Sequence, residues 1–302
     1  MEKLPFVDAL TLERGLLPDH LGVLDGADAA LVLGQCRYGE ELLSKIAGRG
    51  VHVLVIRTIG MDHIDLDVAA RLGIAVGNAH YAPDSVADFT LMLVTLRHYK
   101  AAVYQQNVND YSLRGLEGRT LSSLAMGVVG TGAIGAAIVQ RLSGFGCEIL
   151  ATGHHVNPEV AKRAAYVSQD ELFRASDVIS FHVPATPANH HLVSRESLAE
   201  MKDGVVLVNT ACPDLLDVSA LTEGDESGKI GALAMGVFEE ERGICHFNRS
   251  GDILRNRDMA YLRQFQNTVL TQHMAFCTAE AVEEMVETAV AKAHELFEGR
   301  NA

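Results

Sequence analysis

A glycine-rich turn is the most specific chemical signal in the sequence, because residues 128–135 read VVGTGAIG. The glycines have the G-x-G-x-x-G spacing of a dinucleotide-binding turn between a β-strand and an α-helix. In such a turn Gly130 permits the sharp bend, Gly132 lets a pyrophosphate approach the backbone, and Gly135 lets the helix pack against the strand. The predicted cofactor contacts here are Gly130, Thr131, Gly132, Ala133, Ile134 and Gly135. The alternative is a glycine-rich turn that binds nothing.

The acidic residue that usually follows the second strand of such a fold is absent, because residues 151–156 read ATGHHV. An Asp or Glu there would hold the adenosine ribose hydroxyls and repel the 2′-phosphate of NADP. The cofactor is therefore expected to be NADP or NAD, with a slight preference for NADP. Weak binding of either cofactor is an alternative. His154 is a candidate contact for the phosphate, although His154 and His155 are equally typical of an exposed turn.

These residues need a framework to position them, and short apolar runs alternate with amphipathic stretches over nearly the whole chain. Alternating strands and helices predict an α/β fold, with a parallel sheet covered on both faces. Residues 239–258 mix charges, Gly, Cys and His, which indicates an irregular surface segment near the carboxyl ends of the C-terminal strands. We predict strands at 29–33, 51–57, 73–76, 126–129, 147–152, 177–183, 204–209, 231–237 and 268–271, and helices at 40–47, 65–72, 84–100, 133–145 and 279–298.

The composition excludes several classes of function. The 302 residues include 39 acidic and 25 basic side chains, which gives a formal net charge of -14. This charge argues against binding to nucleic acid or to an anionic membrane surface, and no run reaches the ~18 apolar residues of a membrane helix. The five cysteines form no C-x-x-C pair, and residues 1–10 show no export signal. We therefore expect a cytoplasmic protein with reduced thiols and no metal site.

Several segments, in sequence order, resemble the D-isomer-specific 2-hydroxyacid dehydrogenase family. The likeness is strongest to the branch of D-lactate dehydrogenases and vancomycin-resistance dehydrogenases, and it extends from about residue 25 to the C-terminus. The matching segments are RTIGMDHID at 57–65, YAPDSVAD at 81–88, the glycine turn, FHVPATP at 181–187, VNTA at 208–211 and TQHMAF at 271–276.

The resemblance implies two Rossmann- or flavodoxin-like parallel-sheet domains, with the active site in the interdomain cleft. Residues 1–97 and 275–302 would form the substrate domain, and residues 98–274 the dinucleotide-binding Rossmann domain. The strand and helix that usually precede the segment matching residues 6–16 are missing, so the substrate domain is expected to be short of its first strand. The resemblance also implies a homodimer.

The chemistry that the resemblance implies is hydride transfer between a nicotinamide cofactor and C2 of a small 2-oxo or 2-hydroxy acid. His273 corresponds to the family's acid/base histidine, and Glu241 to the glutamate that holds it. A His–carboxylate pair suits proton transfer near neutral pH. The implied substrate contacts are the backbone N–H groups of Ile59, Gly60 and Met61 and the side chain of Tyr81. Further implied cofactor contacts are Val183, Pro184, Thr186, Thr210 and Ala211.

The chain departs from the family pattern where charges would meet the substrate and the cofactor. The family reads Asn-Thr-Ala-Arg-Gly, whereas this chain has Cys212 and Pro213 in the last two places, so the Arg that binds the substrate carboxylate is absent. Gly236 stands where the family has an Asp at the nicotinamide end. Arg242 or Arg249 is an alternative source of a cation.

Cys212 is nevertheless retained as a catalytic candidate, because it occupies the position of the missing Arg. It is either a reactive thiol near a helix N-terminus or a small buried residue. A metal site formed by Cys212, His273 and Cys277 has no support from their spacing.

Three hypotheses for the function follow. The main one is an NAD(P)-dependent oxidoreductase acting on a small 2-oxo or 2-hydroxy compound, with cofactor binding and a change in nicotinamide absorbance as its signature. The second is a non-redox lyase, hydratase or isomerase that reuses His273 and Glu241. The third is a non-catalytic binding or regulatory homologue. The presence of both His273 and Glu241 favours the first two hypotheses.

Overall fold

The computed structural model describes residues 18–33, 36–61, 63–96 and 99–301. In chain order the strands are β1 (Ala29–Val32), β2 (Val53–Ile56), β3 (Ala75–Asn78), β4 (Ala125–Val129), β5 (Glu148–Thr152), β6 (Ala165–Tyr166), β7 (Val178–Phe181), β8 (Val205–Asn209), β9 (Ile230–Met235) and β10 (Thr268–Leu270). The α-helices are α1 (Glu40–Ala47), α2 (Leu66–Arg71), α3 (Asp84–Thr95), α4 (Tyr99–Asn107), α5 (Ala133–Ser143), α6 (Pro158–Ala161), α7 (Gln169–Ala175), α8 (Arg195–Glu200), α9 (Val218–Ser227), α10 (Arg257–Leu262) and α11 (Ala279–Asn301).

The chain divides into two compact units. One unit includes the chain up to Ala82 together with the C-terminal segment from Ala279, and the other extends from Pro83 to Thr278. The predicted boundaries lie at 97/98 and 274/275. The N-terminal boundary differs because α3, which the prediction gave to the first domain, packs against α5 of the second unit. The roles of the two units, in substrate and in dinucleotide binding, remain predictions.

Among the described residues, the first unit contains a three-stranded parallel sheet in the order β1-β2-β3. All four residues of β2 are buried, because α11 covers this strand and its neighbours. Leu43 and Ile46 of α1 contribute to the same apolar core. The expectation that a first strand is missing concerns residues that lie outside the described part of the chain.

The second unit is built on a seven-stranded parallel sheet in the order β10-β9-β8-β7-β4-β5-β6. Strand β8 shows why both faces are covered, because Val205 and Leu207 join one apolar cluster whereas Val206 and Val208 join another. Parallel strands buried on both sides have this nearly continuous apolar sequence. The predicted parallel-sheet α/β class is therefore confirmed.

Helix α5 follows β4 directly and packs with a regular apolar stripe. Ile138, Val139 and Leu142 are buried in one of the two clusters, at the three- and four-residue spacing of a helix face. The predicted helix 84–100 corresponds to two helices, α3 and α4. The prediction omitted β6 and α6 to α10, because most of these segments are too short to show a full period of their pattern. Among the described residues, no helix is both long and apolar enough to cross a membrane.

Candidate active site

The strand order of the second unit reverses at β4. From β4 the chain proceeds to β5 and β6 on one side, and then crosses to β7, β8, β9 and β10 on the other. The carboxyl ends of β4 and β7 therefore flank the point where the order switches. In open α/β sheets, ligands bind in the crevice at such a point.

The glycine turn lies at this switch point, and two of its glycines are required by packing. Gly130 has φ +96°, and a Cβ on it would lie 2.5 Å from the carbonyl oxygen of His182 at the end of β7. A Cβ on Gly135 would overlap with the carbonyl oxygen of Gly130. The helix can begin this close to the strand only because both positions lack a side chain.

Gly132 has a different role, because a Cβ added to it would meet no atom within 4 Å. It is the N-cap of α5, an eleven-residue helix, and no side chain caps this terminus. The first backbone N–H groups of α5 are therefore open to a ligand, and the helix dipole favours an anion there. Bare N–H groups with open space above Gly132 fit the pyrophosphate of a dinucleotide.

The loop after β5 lies beside this turn. Thr131 Oγ1 donates to the carbonyl oxygen of His155 at 3.4 Å, and Asn157 Nδ2 donates to the carbonyl oxygen of Thr131 at 3.2 Å. A Cβ on Gly153 would lie 2.8 Å from Thr131 Oγ1. His154 is exposed, so its imidazole is available to a ligand at the adenosine end.

The segment after β7 closes the other side of the turn. Val183 lies against Gly130, since its Cγ1 would be 2.7 Å from a Cβ there. Asn189 braces the loop by accepting from the backbone N–H of Thr186 at 2.7 Å and donating to the carbonyl oxygen of Pro184 at 2.8 Å. The predicted contacts Val183, Pro184 and Thr186 thus belong to one rigid loop beside the glycine turn.

The segments after β8 and β9 contain the replaced family positions, Cys212 and Gly236. Asn209 Nδ2 donates to the carbonyl oxygen of Cys212 at 2.7 Å, and Asn209 Oδ1 accepts from Ala211 N–H at 3.0 Å. Thr210 is buried and its hydroxyl bonds that of Thr90 at 2.8 Å. A Cβ on Gly236, after β9, would lie 3.1 Å from Thr210 Cγ2. The half-buried Cys212 and Gly236 therefore follow adjacent strands at one edge of the sheet.

His273 and Glu241 form a close pair. His273 Nδ1 lies 2.5 Å from Glu241 Oε1, and the backbone N–H of Phe238 donates to Glu241 Oε2 at 2.9 Å. The two residues follow β10 and β9, which are neighbours in the sheet, so the topology brings them together. The Glu241 side chain is 13% exposed and that of His273 is 45% exposed. His273 therefore presents its ring to a ligand while a largely buried carboxylate holds its Nδ1.

His273 Nε2 makes no hydrogen bond within the part of the chain that the structure describes. With Nδ1–H bonded to a carboxylate, Nε2 is the nitrogen left to exchange a proton with a substrate oxygen. Such an arrangement can act as a general acid or as a general base.

Two residues beside this pair were missed by the sequence prediction. Cys245 Sγ lies 3.6 Å from Glu241 Oε2, and His246 Nε2 lies 3.0 Å from the carbonyl oxygen of His273. Cys245 follows Glu241 by four residues and its N–H donates to the Glu241 carbonyl oxygen, as in a helical turn. The four-residue spacing was a signal for this contact.

Arg249 is one of the two alternative cations that the sequence offers in place of the missing Arg. Its Nε donates to the carbonyl oxygen of Gly243 at 2.8 Å, its Nη1 lies 3.3 Å from Asp252 Oδ2, and its guanidinium lies 5.4 Å from the centre of the Phe247 ring. The guanidinium is therefore engaged within its own loop. Arg242 is exposed.

The predicted carboxylate-binding loop lies in the first unit. Asn78 Nδ2 donates to the carbonyl oxygen of Ile59 at 2.8 Å, and Thr58 Oγ1 donates to that of Gly60 at 2.9 Å. The N–H groups of Ile59, Gly60 and Met61 make no hydrogen bond to any described residue. A loop held by its carbonyls, with its N–H groups open, suits an anion. Tyr81 is half-buried after β3.

No cluster of three or more His, Cys, Asp or Glu side chains able to hold a metal ion occurs in the described ranges.

The chain is similar to known proteins over most of its length. The family described as "D-isomer specific 2-hydroxyacid dehydrogenase, NAD binding domain" matches residues 89–275. An aromatic 2-oxoacid reductase of Clostridium sporogenes is 38% identical over 282 residues, which cover 90% of this chain and 85% of the relative. A D-lactate dehydrogenase of Lactobacillus delbrueckii subsp. bulgaricus is 36% identical over 294 residues, which cover 96% and 88%.

Solved structures show the same likeness. The pyruvate reductase of Chlamydomonas reinhardtii superposes with a TM-score of 0.87 at 32% identity, over 95% of this chain and 88% of the other. A D-lactate dehydrogenase of Aquifex aeolicus, complexed with NAD and lactic acid, superposes with a TM-score of 0.82 at 32% identity, over 92% and 85%.

Proposed function

The chain belongs to the D-isomer-specific 2-hydroxyacid dehydrogenase family, and on this premise we propose that it interconverts a small 2-oxo acid and the corresponding 2-hydroxy acid with a nicotinamide cofactor. The observation that carries the proposal is the 2.5 Å contact between His273 Nδ1 and Glu241 Oε1, which leaves His273 Nε2 open to a substrate oxygen. Relatives of this family are named dehydrogenases and reductases, which supports an enzyme rather than a non-catalytic homologue.

His273 and Glu241 perform the proton transfer in this mechanism. The nicotinamide, when bound, supplies or accepts the hydride at C2 of the substrate. In the reducing direction His273 donates a proton from Nε2 to the oxygen on C2, and in the oxidising direction it accepts that proton. Glu241 keeps Nδ1 protonated and balances the positive charge when both nitrogens carry protons. The Phe238 N–H, which donates to Glu241 Oε2, restrains rotation of the carboxylate.

The cofactor-binding residues of this chain do three jobs. The bare N–H groups at the start of α5 bind the pyrophosphate, and Gly132 leaves room for it. The braced loop with Val183, Pro184 and Thr186 borders one side of the crevice. At the adenosine end, Gly153 offers no carboxylate to repel a 2′-phosphate. We therefore propose that the protein accepts NADPH as well as NADH.

Substrate binding without an Arg at position 212 is the unusual part of the proposal. We assign the substrate carboxylate to the open N–H groups of Ile59, Gly60 and Met61, with Tyr81 as a neighbouring contact. Cys212 supplies no fixed positive charge, so polarisation of the substrate carbonyl falls to His273. We therefore expect slower turnover than in an Arg-containing relative.

The loss of that Arg also favours a second candidate, a non-redox lyase, hydratase or isomerase that uses His273 and Glu241 for acid/base chemistry. The two candidates differ in one observable. The first consumes reduced nicotinamide in step with product, whereas the second forms product with no net change in nicotinamide absorbance.

The test is a panel of 2-oxo acids assayed with NADH and with NADPH, with loss of reduced-nicotinamide absorbance as the readout. The variants His273→Gln and Glu241→Gln are compared with His294→Gln, a control at an exposed histidine of α11. We expect a loss of about 10²- to 10⁴-fold in kcat for His273→Gln and wild-type kinetics for the control. Failure to bind either cofactor, or wild-type activity of His273→Gln, would contradict the proposal.

We further propose that the protein is a cytoplasmic homodimer. Tyr111 and Leu113, in the segment after α4, are 75% and 83% exposed, which supports an apolar contact with a second copy. Light scattering of the wild type and of a Tyr111→Ser/Leu113→Ser variant tests this assignment. A dimeric wild type and a dissociated variant are expected, and a monomeric wild type would contradict it.

A further inference from the structure

Residues 244–246, within the irregular segment 239–258, lie against the acid/base pair of His273 and Glu241. Cys245 faces the carboxylate of Glu241, and His246 contacts the backbone of His273. Cys245 and His246 therefore contact Glu241 and His273, the two residues to which the proposed function assigns proton transfer.

The Glu241 carboxylate receives donors at both oxygens. Oε1 faces His273 Nδ1 at 2.5 Å, while Oε2 accepts from Phe238 N–H at 2.9 Å and lies 3.6 Å from Cys245 Sγ. A carboxylate oxygen offers two lone-pair sites, so Oε2 can accept both hydrogen bonds together. The S···O distance is that of a thiol hydrogen bond, in which sulfur is the weak donor.

We propose that Cys245 is a positioning residue, whose S–H donates to Glu241 Oε2 and holds the carboxylate in the orientation that orders the imidazole of His273. Rotation of the carboxylate would break the contact with His273 Nδ1. The backbone donor of Phe238 resists that rotation from one side, and the thiol completes the restraint.

The state of the thiol suits this role. Burial, reinforced by the neighbouring charge of Glu241, raises the pKa of Cys245 to about 12. The group therefore remains S–H at neutral pH, so it is a permanent donor and a poor nucleophile. Among the described residues, the charged or titratable groups that face this site are the carboxylate of Glu241, the imidazole of His273 and the imidazole of His246. The ring centre of His246 lies 6.0 Å from that of His273.

His246 restrains the other member of the pair. Because a carbonyl oxygen only accepts, the 3.0 Å contact requires that His246 Nε2 carry a proton and donate to the His273 carbonyl. His246 and His273 have φ of +66° and +54°, in the left-handed region that non-glycine residues rarely adopt. The hydrogen bond therefore helps to hold a backbone conformation that is unfavourable by itself.

The assignment rests on the proposed function for its kinetic readout, but a spectroscopic readout is independent of turnover. A proton on an imidazole nitrogen that is hydrogen-bonded to a carboxylate, as between His273 Nδ1 and Glu241 Oε1, gives a downfield resonance in the proton NMR spectrum. This resonance is identified by its absence in His273→Gln. It reports the pair in the protein without substrate or cofactor.

The experiment compares Cys245→Ala, which removes the donor, with Cys245→Ser, which keeps one of similar size. The control is Cys147→Ala. Cys147 follows the C-terminal end of α5, and its Sγ contacts the carbonyl oxygen of Leu142 rather than the acid/base pair. We expect Cys245→Ala to lower kcat by about 3- to 10-fold, with KM within twofold, and to shift or broaden the downfield resonance. Cys245→Ser and Cys147→Ala should retain both wild-type properties.

Two outcomes overturn the inference. Wild-type kcat and an unchanged resonance in Cys245→Ala would show that the thiol does not position the carboxylate. Equal losses in Cys245→Ala and Cys245→Ser would assign the residue to packing alone. If the wild type turns over no 2-oxo acid, the proposed function fails, and the resonance of the three variants still decides the role of Cys245. The pair His246→Gln and His246→Phe applies the same logic to the second restraint, since Gln keeps a donor and Phe does not.

Discussion

Replacing two glycines of the same turn separates cofactor binding from folding. Gly132 has φ -68° and ψ -163°, which any residue adopts, and a Cβ there meets nothing within 4 Å. We therefore expect Gly132→Ala to fold normally, with a stability loss of about 1 kcal/mol or less from the weaker helix cap. Its methyl group projects into the space assigned to the pyrophosphate. Cofactor affinity should fall by about 10- to 100-fold, because a steric conflict of this kind costs ~1–3 kcal/mol.

Gly135→Ala has the opposite profile. Its Cβ would overlap with the carbonyl oxygen of Gly130, so either the turn or the first turn of α5 has to move. Overpacking against rigid backbone lies at or beyond the upper end of the usual range, about 3 kcal/mol or more. For a unit of this size that corresponds to a fall of about 6–12 °C in Tm.

The assays are thermal unfolding by circular dichroism, with and without NADH, and calorimetric titration with NADH. Gly144→Ala is the matched control, because Gly144 ends the same helix with φ -71° and an ordinary contact distance of 3.4 Å to the Arg141 carbonyl oxygen. If Gly132→Ala binds NADH like the wild type, the pyrophosphate does not approach this backbone. A wild-type Tm for Gly135→Ala would refute the packing argument.

Substitution or modification of Cys212, Gly153, Cys245 and His182 tests four other parts of the structure. Cys212→Arg should raise kcat/KM on 2-oxo acids by about 30-fold or more, since a charged partner for a carboxylate contributes ~2–5 kcal/mol. Steady-state rates equal to the wild type would show that a cation at this position does not act on the substrate. Gly153→Asp should weaken NADPH binding about 10-fold relative to NADH binding in parallel titrations, because the new carboxylate repels the 2′-phosphate. The Thr131 hydroxyl has to move aside in this variant, since it would lie 2.8 Å from the new Cβ. Burial and the charge of Glu241 raise the pKa of Cys245 to about 12, so alkylation of this thiol by iodoacetamide should be slow at pH 8. Mass spectrometry measures the alkylation rate, which Glu241→Gln should increase. Burial lowers the pKa of His182 from 6.5 to about 4, so the stability that depends on its neutral imidazole is present above pH 6.5 and is lost as the pH falls toward 4. His182→Asn should remove up to about 3 kcal/mol of this acid dependence, measured by urea unfolding at pH 7 and pH 4.5. An unchanged pH dependence would contradict the burial argument.

The buried strands and the glycine turn could be predicted from short stretches of sequence. Most residues of β4 and β8 are apolar because both faces of each strand are buried, and such runs are visible without knowledge of their neighbours. The spacing of Gly130, Gly132 and Gly135 implies its own geometry, since all three act on one strand, one turn and one helix. The family resemblance then supplied the pairing of Glu241 with His273, which spacing alone does not imply.

The domain boundary was beyond local reasoning. The amphipathic pattern of α3 shows that one face is buried, but it does not show which unit provides the partner surface. Arg141 of α5 bonds Asp84 and Asp88 of α3, and these contacts bind α3 to the second unit. An ion pair between residues more than fifty positions apart leaves no mark in either local pattern.

By itself the sequence determined a parallel α/β framework, a dinucleotide-type turn and the absence of an Arg at position 212, because each depends on residue type, spacing or apolar periodicity. Only the tertiary structure decided what surrounds the acid/base pair. Strand β10 pairs with β9, which brings His273 to Glu241 across 32 positions of the chain, and the turn after Glu241 adds Cys245 and His246. The physical reason is that hydrogen bonds between loops depend on which strand ends are neighbours, and strand order is a property of the whole sheet.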